Sequence, residues 1–204
     1  MPQQNVVHDP QVLRAISHPV RNRILSELEA QGSLRAADIA RELDIPANQA
    51  SFHLRSLAKY GLVVEDAEAA RDKRDRVWKR AHEGGLTINL EDFDATPAGA
   101  AAARVFRRTS ADWAHVVVEA AYGGERGPDE HRSVTDTSLR LTLEEARELT
   151  AALREVVVAM AERTRGVTGE GRRTYEYLGM LLPQPDRLRA AVQAAATSDG
   201  EDEA

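Results

Sequence analysis

Apolar residues recur at helical spacing in four consecutive segments near the start of the chain. They lie three or four positions apart, which puts them along one face of each predicted helix. The segments contain Val12, Leu13 and Ile16; Val20, Ile24, Leu25 and Leu28; Ile39, Ala40 and Leu43; and Ala50, Leu54, Leu57 and Ala58. Pro19 suits the first turn of the second helix and Gly32 suits its end. The pattern predicts four short helices around one core.

The fourth segment carries a second set of side chains that falls largely off its apolar stripe. This outward set contains Asn48, Gln49, Ser51, Phe52, Arg55 and Lys59. Amide, hydroxyl and guanidinium groups can hydrogen-bond to base edges and phosphates in a major groove, and a phenyl ring can contact a thymine methyl. Ile45 precedes Pro46 and is biased to an extended conformation, so the chain turns sharply before this helix. The order predicts a helix-turn-helix. A solvated amphipathic helix explains this segment alone equally well.

Two predicted strands follow the fourth helix. Gly61 ends that helix, Leu62 to Val64 are apolar and β-branched, and the apolar pattern resumes at Val77 and Trp78 after a charged link over 67–76. Two strands joined by a charged tip form a wing. The cations of this wing can neutralise DNA phosphates, although Asp72 and Asp75 between them weaken the positive field. The alternative to this DNA-binding role is a charged hairpin that faces only solvent. These cations are Arg71, Lys73, Arg74 and Arg76. Trp78 is predicted to be a core residue.

Three segments together resemble the ArsR-type winged-helix transcription regulators. They are AISHPVRNRILSEL (15–28), ADIARELDIPANQASFHLRSLAKYGLVV (37–64) and RDRVWKRA (74–81). The resemblance covers residues 1–82 and implies that SFHLRSLAKYGLV holds the recognition helix and the start of the wing. Arg35 departs from the usual Ser or Thr helix cap, and Asp44 stands where the turn often has glycine. The absence of cysteine leaves no counterpart of the family's thiolate metal site.

The second half predicts fewer and longer elements. Leu86, Ile88 and Leu90 alternate as in a short strand, a helix is predicted over 97–122, and Thr142 with Glu145 forms a capping box for another over 144–164. A strand face is predicted for Thr135, Thr137, Leu139 and Leu141. The sequence LRLTLEEARELTAAL (139–153) resembles the C-terminal region of a longer subgroup of winged-helix regulators.

These elements define a fold class and a division of the chain. The fold is predicted to be mainly α with a small β component (α+β). A winged helix-turn-helix domain is expected over 1–82 and a helical dimerisation or effector domain with short strands over 84–190. The acidic residues 191–204 are expected to form a disordered tail.

Charge divides the chain in the same way. The 204 residues carry 27 Lys+Arg and 33 Asp+Glu, a net charge of −6, but residues 1–82 hold 13 basic and 11 acidic residues and are net +2. The remaining 14 basic and 22 acidic residues give −8. Only the first part can approach phosphates favourably, because counterion release depends on local cations. With no long apolar run and no secretory pattern, a cytoplasmic protein without a membrane segment is expected.

Catalytic and metal chemistry find no support in the sequence. The six histidines show no compact ligand spacing, so neither a metal nor another cofactor is predicted. No phosphate-binding loop or nucleophile motif is present, so an enzyme is not expected. His53, next to Leu54, is predicted to be a partly buried packing residue.

The sequence thus predicts a sequence-specific regulator that binds double-stranded DNA as a homodimer, most plainly a repressor. Two recognition helices about 34 Å apart read a pseudo-palindrome, which one winged helix cannot do. The alternative is a winged-helix module that binds a protein partner without specific DNA binding. A third hypothesis adds a small-molecule effector pocket between the 97–122 and 144–164 helices, with Trp113 and Met160 in its lining.

Overall fold

Six α-helices and five short strands make up the fold in the computed structural model, which describes residues 5–70, 76–82, 85–123, 127–186 and 190. The helices are α1 (Pro10–Ile16), α2 (Pro19–Gln31), α3 (Ala36–Glu42), α4 (Ala47–Lys59), α5 (Pro97–Tyr122) and α6 (Leu143–Thr164). The strands are β1 (Asn5–Val6), β2 (Leu34–Arg35), β3 (Val63–Glu65), β4 (Val77–Arg80) and β5 (Leu86–Thr87), and a 3₁₀ helix spans Leu90–Phe93. The predicted α+β class is confirmed.

Helix ends follow local chemistry. The Asp9 carboxylate accepts the Gln11 backbone N–H at 2.7 Å, and Pro10 and Pro19 occupy first-turn positions of α1 and α2. At the start of α6 the predicted capping box forms: Thr142 Oγ1 accepts the Glu145 N–H at 3.2 Å, and Glu145 accepts the Thr142 N–H at 2.7 Å. These bonds satisfy backbone groups that a helix terminus leaves unpaired.

Strand β4 is the centre of a three-stranded antiparallel sheet in the order β2-β4-β3. Its register pairs Val63 with Arg80 and Glu65 with Trp78 on one side, and Leu34 with Trp78 on the other. The β3–β4 hairpin is the predicted wing. A second, parallel pair joins β1 to β5 and connects the start of the described chain to the segment before α5.

One hydrophobic core fills the space between the first four helices, the wing and the start of α5. Its largest fully buried side chains are Leu13, Ile24, Leu28, Ile39, Leu54, Leu57 and Val63. The core continues past residue 82, because Phe93, Ala102 and Ala103 belong to it. Gly99 allows this close packing, since a Cβ there would lie 2.1 Å from the Phe93 carbonyl oxygen. The division into two domains after residue 82 stays a prediction.

The C-terminal elements differ from the prediction in one respect. Helix α5 has the predicted bounds, but Thr135, Thr137, Leu139 and Leu141 form no strand in the described residues 127–142. That strand prediction is wrong: a strand requires a neighbouring strand for its backbone groups, and this segment has none within the described chain. Helix α6 has no buried residue, which leaves its apolar side chains exposed.

Candidate nucleic-acid interface

Helix α4 is fixed to the core by one face. Ala50, Leu54 and Leu57 are completely buried there, at the spacing of four and three residues that the sequence predicted. His53 lies on the same side and is 8% exposed, so its predicted packing role is confirmed. Each of these leucines removes enough apolar surface from water to contribute about 2 kcal/mol. The orientation of the helix is therefore set by its buried face.

The opposite face of α4 projects away from the core. Asn48, Gln49, Arg55 and Lys59 are exposed, Phe52 is 56% exposed, and Ser51 is half-buried. No ion pair involves Arg55 within the described part of the chain, so its guanidinium is available to an external acceptor. The Lys59 ammonium lies 5.8 Å from the centroid of the Tyr60 ring. The face thus combines amides, cations and one aromatic ring, all on one rigid element.

The turn before α4 depends on a left-handed residue. Asp44 has φ +49°, a conformation that aspartate tolerates better than most residues, and the Ile45 N–H bonds to the Ala40 carbonyl at 3.0 Å. The chain therefore reverses without glycine, and Pro46 then leads into α4. This confirms the sharp turn that the sequence predicted at this point.

The start of α3 has an unusual cap. Arg35 occupies the cap position, and the Asp38 carboxylate accepts its backbone N–H at 3.2 Å and its guanidinium Nε at 2.9 Å. The side-chain hydrogen bond from Arg35 holds the pKa of Asp38 below its usual range. Asp38 therefore supplies the acidic N3 half of a capping box, by accepting the backbone N–H of the cap residue.

The wing is closed at its base by Asp66. This carboxylate is 8% exposed, accepts the Ser33 hydroxyl at 2.5 Å and lies 3.2 Å from the Lys79 ammonium. Trp78 is buried behind the sheet, as predicted. Arg76 is exposed and lies 3.6 Å from Glu65. The other predicted wing cations, Arg71, Lys73 and Arg74, lie outside the described residues.

The two candidate effector residues have separate surroundings. Trp113 is half-buried, and the Arg23 guanidinium of α2 lies 5.0 Å from its ring centroid. Met160 is 49% exposed on α6. A pocket lined by both stays a prediction. In the described residues no group of three or more histidine, aspartate or glutamate side chains is arranged to hold a metal ion. No described helix is long and apolar enough to cross a membrane.

Helices α3 and α4 and the β3–β4 hairpin define a winged helix-turn-helix, a type of domain used by DNA-binding transcription regulators. A family model described as "Helix-turn-helix domain" matches residues 16–66, which are 51 of the 204 residues. This match ends where the wing begins its charged tip. No curated protein matches the chain.

Several solved structures are similar to this chain at low sequence identity and low TM-score. Wild-type MarR from E. coli is 15% identical, with 74% of this chain and 88% of that chain covered and a TM-score of 0.32. YusO from Bacillus subtilis is 17% identical, with 74% and 84% covered and a TM-score of 0.30. The S. aureus MepR–DNA complex is 18% identical, with 69% and 77% covered and a TM-score of 0.30. Membership of the ArsR group stays a prediction.

Proposed function

We propose that this protein is a sequence-specific transcription regulator that binds double-stranded DNA as a homodimer. The observation that carries the proposal is the division of α4 into two faces. Leu54 and Leu57 fix the helix to the core, while Asn48, Gln49 and Arg55 are exposed on the outside. Together with the turn before α4 and the wing after it, this outward set supports base contact over a merely solvated face.

Base reading is assigned to the outward face of α4. Asn48 and Gln49 lie in its first turn, where an amide can bond adenine through both its donor and its acceptor. Arg55 follows seven positions after Asn48, about 10 Å along the helix axis, and can reach a guanine edge. Ser51 can serve a base or a phosphate, and Phe52 can pack on a thymine methyl. The first turn and the middle of the helix then contribute to sequence preference.

Phosphate contacts are assigned to Lys59 and to the wing. Lys59 is exposed in the last turn of α4, and Arg76 is exposed where β4 begins. Arg71, Lys73 and Arg74 of the wing tip join this group on sequence grounds. Such contacts position the domain on DNA and make binding depend on salt, because each neutralised phosphate releases counterions.

Dimerisation is assigned to the C-terminal helices. Along α6 the side chains of Leu153, Val156 and Met160 share one face, and Val156 is 68% exposed. A 22-residue helix with no buried side chain gains little stability from its own chain, and exposed apolar stripes of this kind mark interfaces. A second copy of α6 is the proposed cover. The resulting two-fold pair presents two recognition helices to a pseudo-palindromic operator.

Repression is the proposed mode of regulation, through occupancy of a promoter by the dimer.

We also propose that a small molecule acts through the C-terminal half, with Trp113 and Met160 as candidate contacts. Ligand-dependent release of DNA is the corresponding measurement. A compound that binds the protein and leaves its affinity for DNA unchanged would argue against this role.

Selection of bound sequences from random duplex DNA tests the central proposal. The expected result is a palindromic consensus that full-length protein binds in preference to a scrambled duplex by about 10³-fold or more at physiological salt. Arg55→Ala on α4 should reduce this preference. Arg104→Ala, at an exposed position on α5, is the matched control and should leave the preference unchanged. Equal binding to selected and scrambled duplexes would refute specific recognition. Retention of a protein partner together with no DNA shift would favour the interaction-module alternative.

A further inference from the structure

Two histidines meet where the recognition helix contacts α2. His18 occupies the cap position of α2 and His53 lies on the inner face of α4, with their ring centroids 4.8 Å apart and their planes tilted by 48°. Phe52, next to His53, contacts it edge-on at 5.3 Å and is itself exposed on the outward face. The pair therefore lies directly behind the surface assigned to base contacts.

The polar atoms of this junction are buried without partners. Within the described residues, His18 Nδ1, His53 Nδ1 and the neighbouring Arg21 Nε have no hydrogen-bond partner. Buried polar atoms are normally paired, so this concentration of three is unusual. A proton added at either Nδ1 would therefore have no hydrogen-bond acceptor among the described residues.

The charges around the two rings oppose protonation. Burial, then the Arg21 charge, lowers the pKa of His18 against the smaller effect of a backbone hydrogen bond that raises it. Burial, then the charges of His18 and Arg21, lowers the pKa of His53. His18 also stands at the N-terminal, positive end of the α2 dipole. Both rings are therefore neutral at neutral pH.

Acidic groups on the elements packed against α4 are engaged elsewhere. Asp38 of α3 binds Arg35 and Arg41, Glu42 lies 3.6 Å from Arg41, and Glu65 of β3 pairs with Arg76. On α2, Glu27 accepts from Arg23, Gln31 and Thr174. The basic groups are Arg14 on α1, Arg21 and Arg23 on α2, Arg41 on α3, and Arg55 and Lys59 on α4. Of these, Arg21 is the one whose charge acts on both histidines. Within the described residues no carboxylate hydrogen-bonds to either histidine.

From this geometry we infer that His18 and His53 are positioning residues that hold the recognition helix in its DNA-binding arrangement only while both rings are neutral, so that mild acid weakens DNA binding. A proton on either ring adds a positive charge beside Arg21 at a half-buried junction where no described carboxylate is paired with the rings. Moving α4 away from α2 relieves that repulsion, and it displaces Asn48, Gln49 and Arg55 from the groove. The inference rests on the proposed DNA-binding function.

The test measures the affinity of full-length protein for a duplex chosen from the random library, by fluorescence anisotropy at constant ionic strength. Between about pH 7.5 and about pH 5.5 the affinity of the wild type for this duplex should weaken by about tenfold. The double variant His18→Gln/His53→Gln should lose this dependence, whereas His8→Gln, at an exposed position before α1, should keep it. Arg21→Gln should move the transition to higher pH, because it removes a charge that opposes protonation.

A second measurement avoids reliance on variants that fold poorly. Calorimetry can measure DNA binding near pH 6 in buffers of different ionisation enthalpy. It should show that protons are released on binding, because the bound form requires neutral rings. Proton uptake, or acid-tightened binding abolished by the double variant, would overturn the inference and indicate contact of the rings with phosphate. A flat pH profile, or a slope that the double variant retains, would overturn it as well. If no duplex binds at about pH 7.5, both the proposed function and this inference fail.

Discussion

Asp66 and Lys79 close the wing by an ion pair of 3.2 Å between a buried carboxylate and a half-exposed ammonium. The Ser33 hydroxyl completes the site from the link between α2 and β2. Three segments that are distant in sequence thus meet at one side chain. The hydrogen bond from Ser33, followed by the Lys79 charge, holds the pKa of Asp66 below its usual range against the effect of burial.

Replacement of Asp66 by asparagine should destabilise the protein. The change removes the ion pair and leaves buried donors poorly matched, at an expected cost of about 1–3 kcal/mol in the free energy of unfolding. Urea unfolding monitored by tryptophan fluorescence measures this loss of stability. Glu65→Gln, at the adjacent exposed position, is the control and should cost much less.

Acid should remove the contribution of Asp66. Its folded pKa lies below the unfolded value of about 3.9, so the stabilisation is complete above that pH and is lost as the pH falls through the folded pKa. Unfolding curves recorded at several pH values below about 5 should therefore converge for wild type and Asp66→Asn. A constant difference down to the lowest pH would contradict the ionised role of Asp66.

Valine at position 44 should be poorly tolerated. Asp44 has φ +49°, where a β-branched side chain is strained by about 1–2 kcal/mol, whereas glycine adopts this conformation freely. We expect Asp44→Val to lower stability and DNA affinity together, because the turn sets the approach of α4. Asp44→Gly should stay within about 0.5 kcal/mol of wild type. Asp136→Val, at an exposed extended position, serves as the control.

Arg55→Ala should reduce specific binding more than general binding. Loss of a bidentate contact to guanine costs about 1–3 kcal/mol, or roughly tenfold to a hundredfold in affinity for the selected duplex, and relaxes preference at one base position. Lys59→Ala should instead weaken selected and scrambled duplexes alike and reduce the salt slope by about one. Competition binding at two salt concentrations separates the two effects. Identical behaviour of both variants would argue that Arg55 contacts only phosphate.

Aspartate at position 156 should separate the proposed dimer. Val156 is exposed on the apolar face of α6, and a charge there cannot be buried against a second copy without a partner. Sedimentation velocity should show a monomer for Val156→Asp and a dimer for both wild type and Ala151→Asp, which changes the opposite face of the same helix. If all three proteins were dimers, the dimer interface would not include this face of α6.

The helices of the winged domain could be predicted because their signals are local. The stripe of Ala50, Leu54 and Leu57 and the first-turn proline Pro19 act within a few residues, and both are confirmed. The same holds for the capping box of Thr142 at the start of α6. Likewise, the outward set on α4 follows from the position of its buried face. That these outward side chains of α4 contact DNA bases stays a prediction.

The features that the sequence could not predict all join distant segments. Strand β1 pairs with β5 across about eighty residues, and β2 joins the wing sheet through Leu34 and Trp78. The approach of His18 to His53 depends on how α2 and α4 cross, which no spacing rule encodes. Conversely, the strand predicted over 135–141 has the right alternation but no partner strand among the described residues, because pairing is decided by tertiary structure.

The participation of α5 in the core has a practical consequence for dissecting the molecule. A fragment that stops at residue 82 loses Phe93, Ala102 and Ala103, and so uncovers the apolar surface of α1 that they protect. It also loses β5, the partner of β1. A fragment for isolated DNA-binding work should extend at least to Phe106, which packs against the same cluster. The unit that folds is therefore longer than the unit proposed to read DNA.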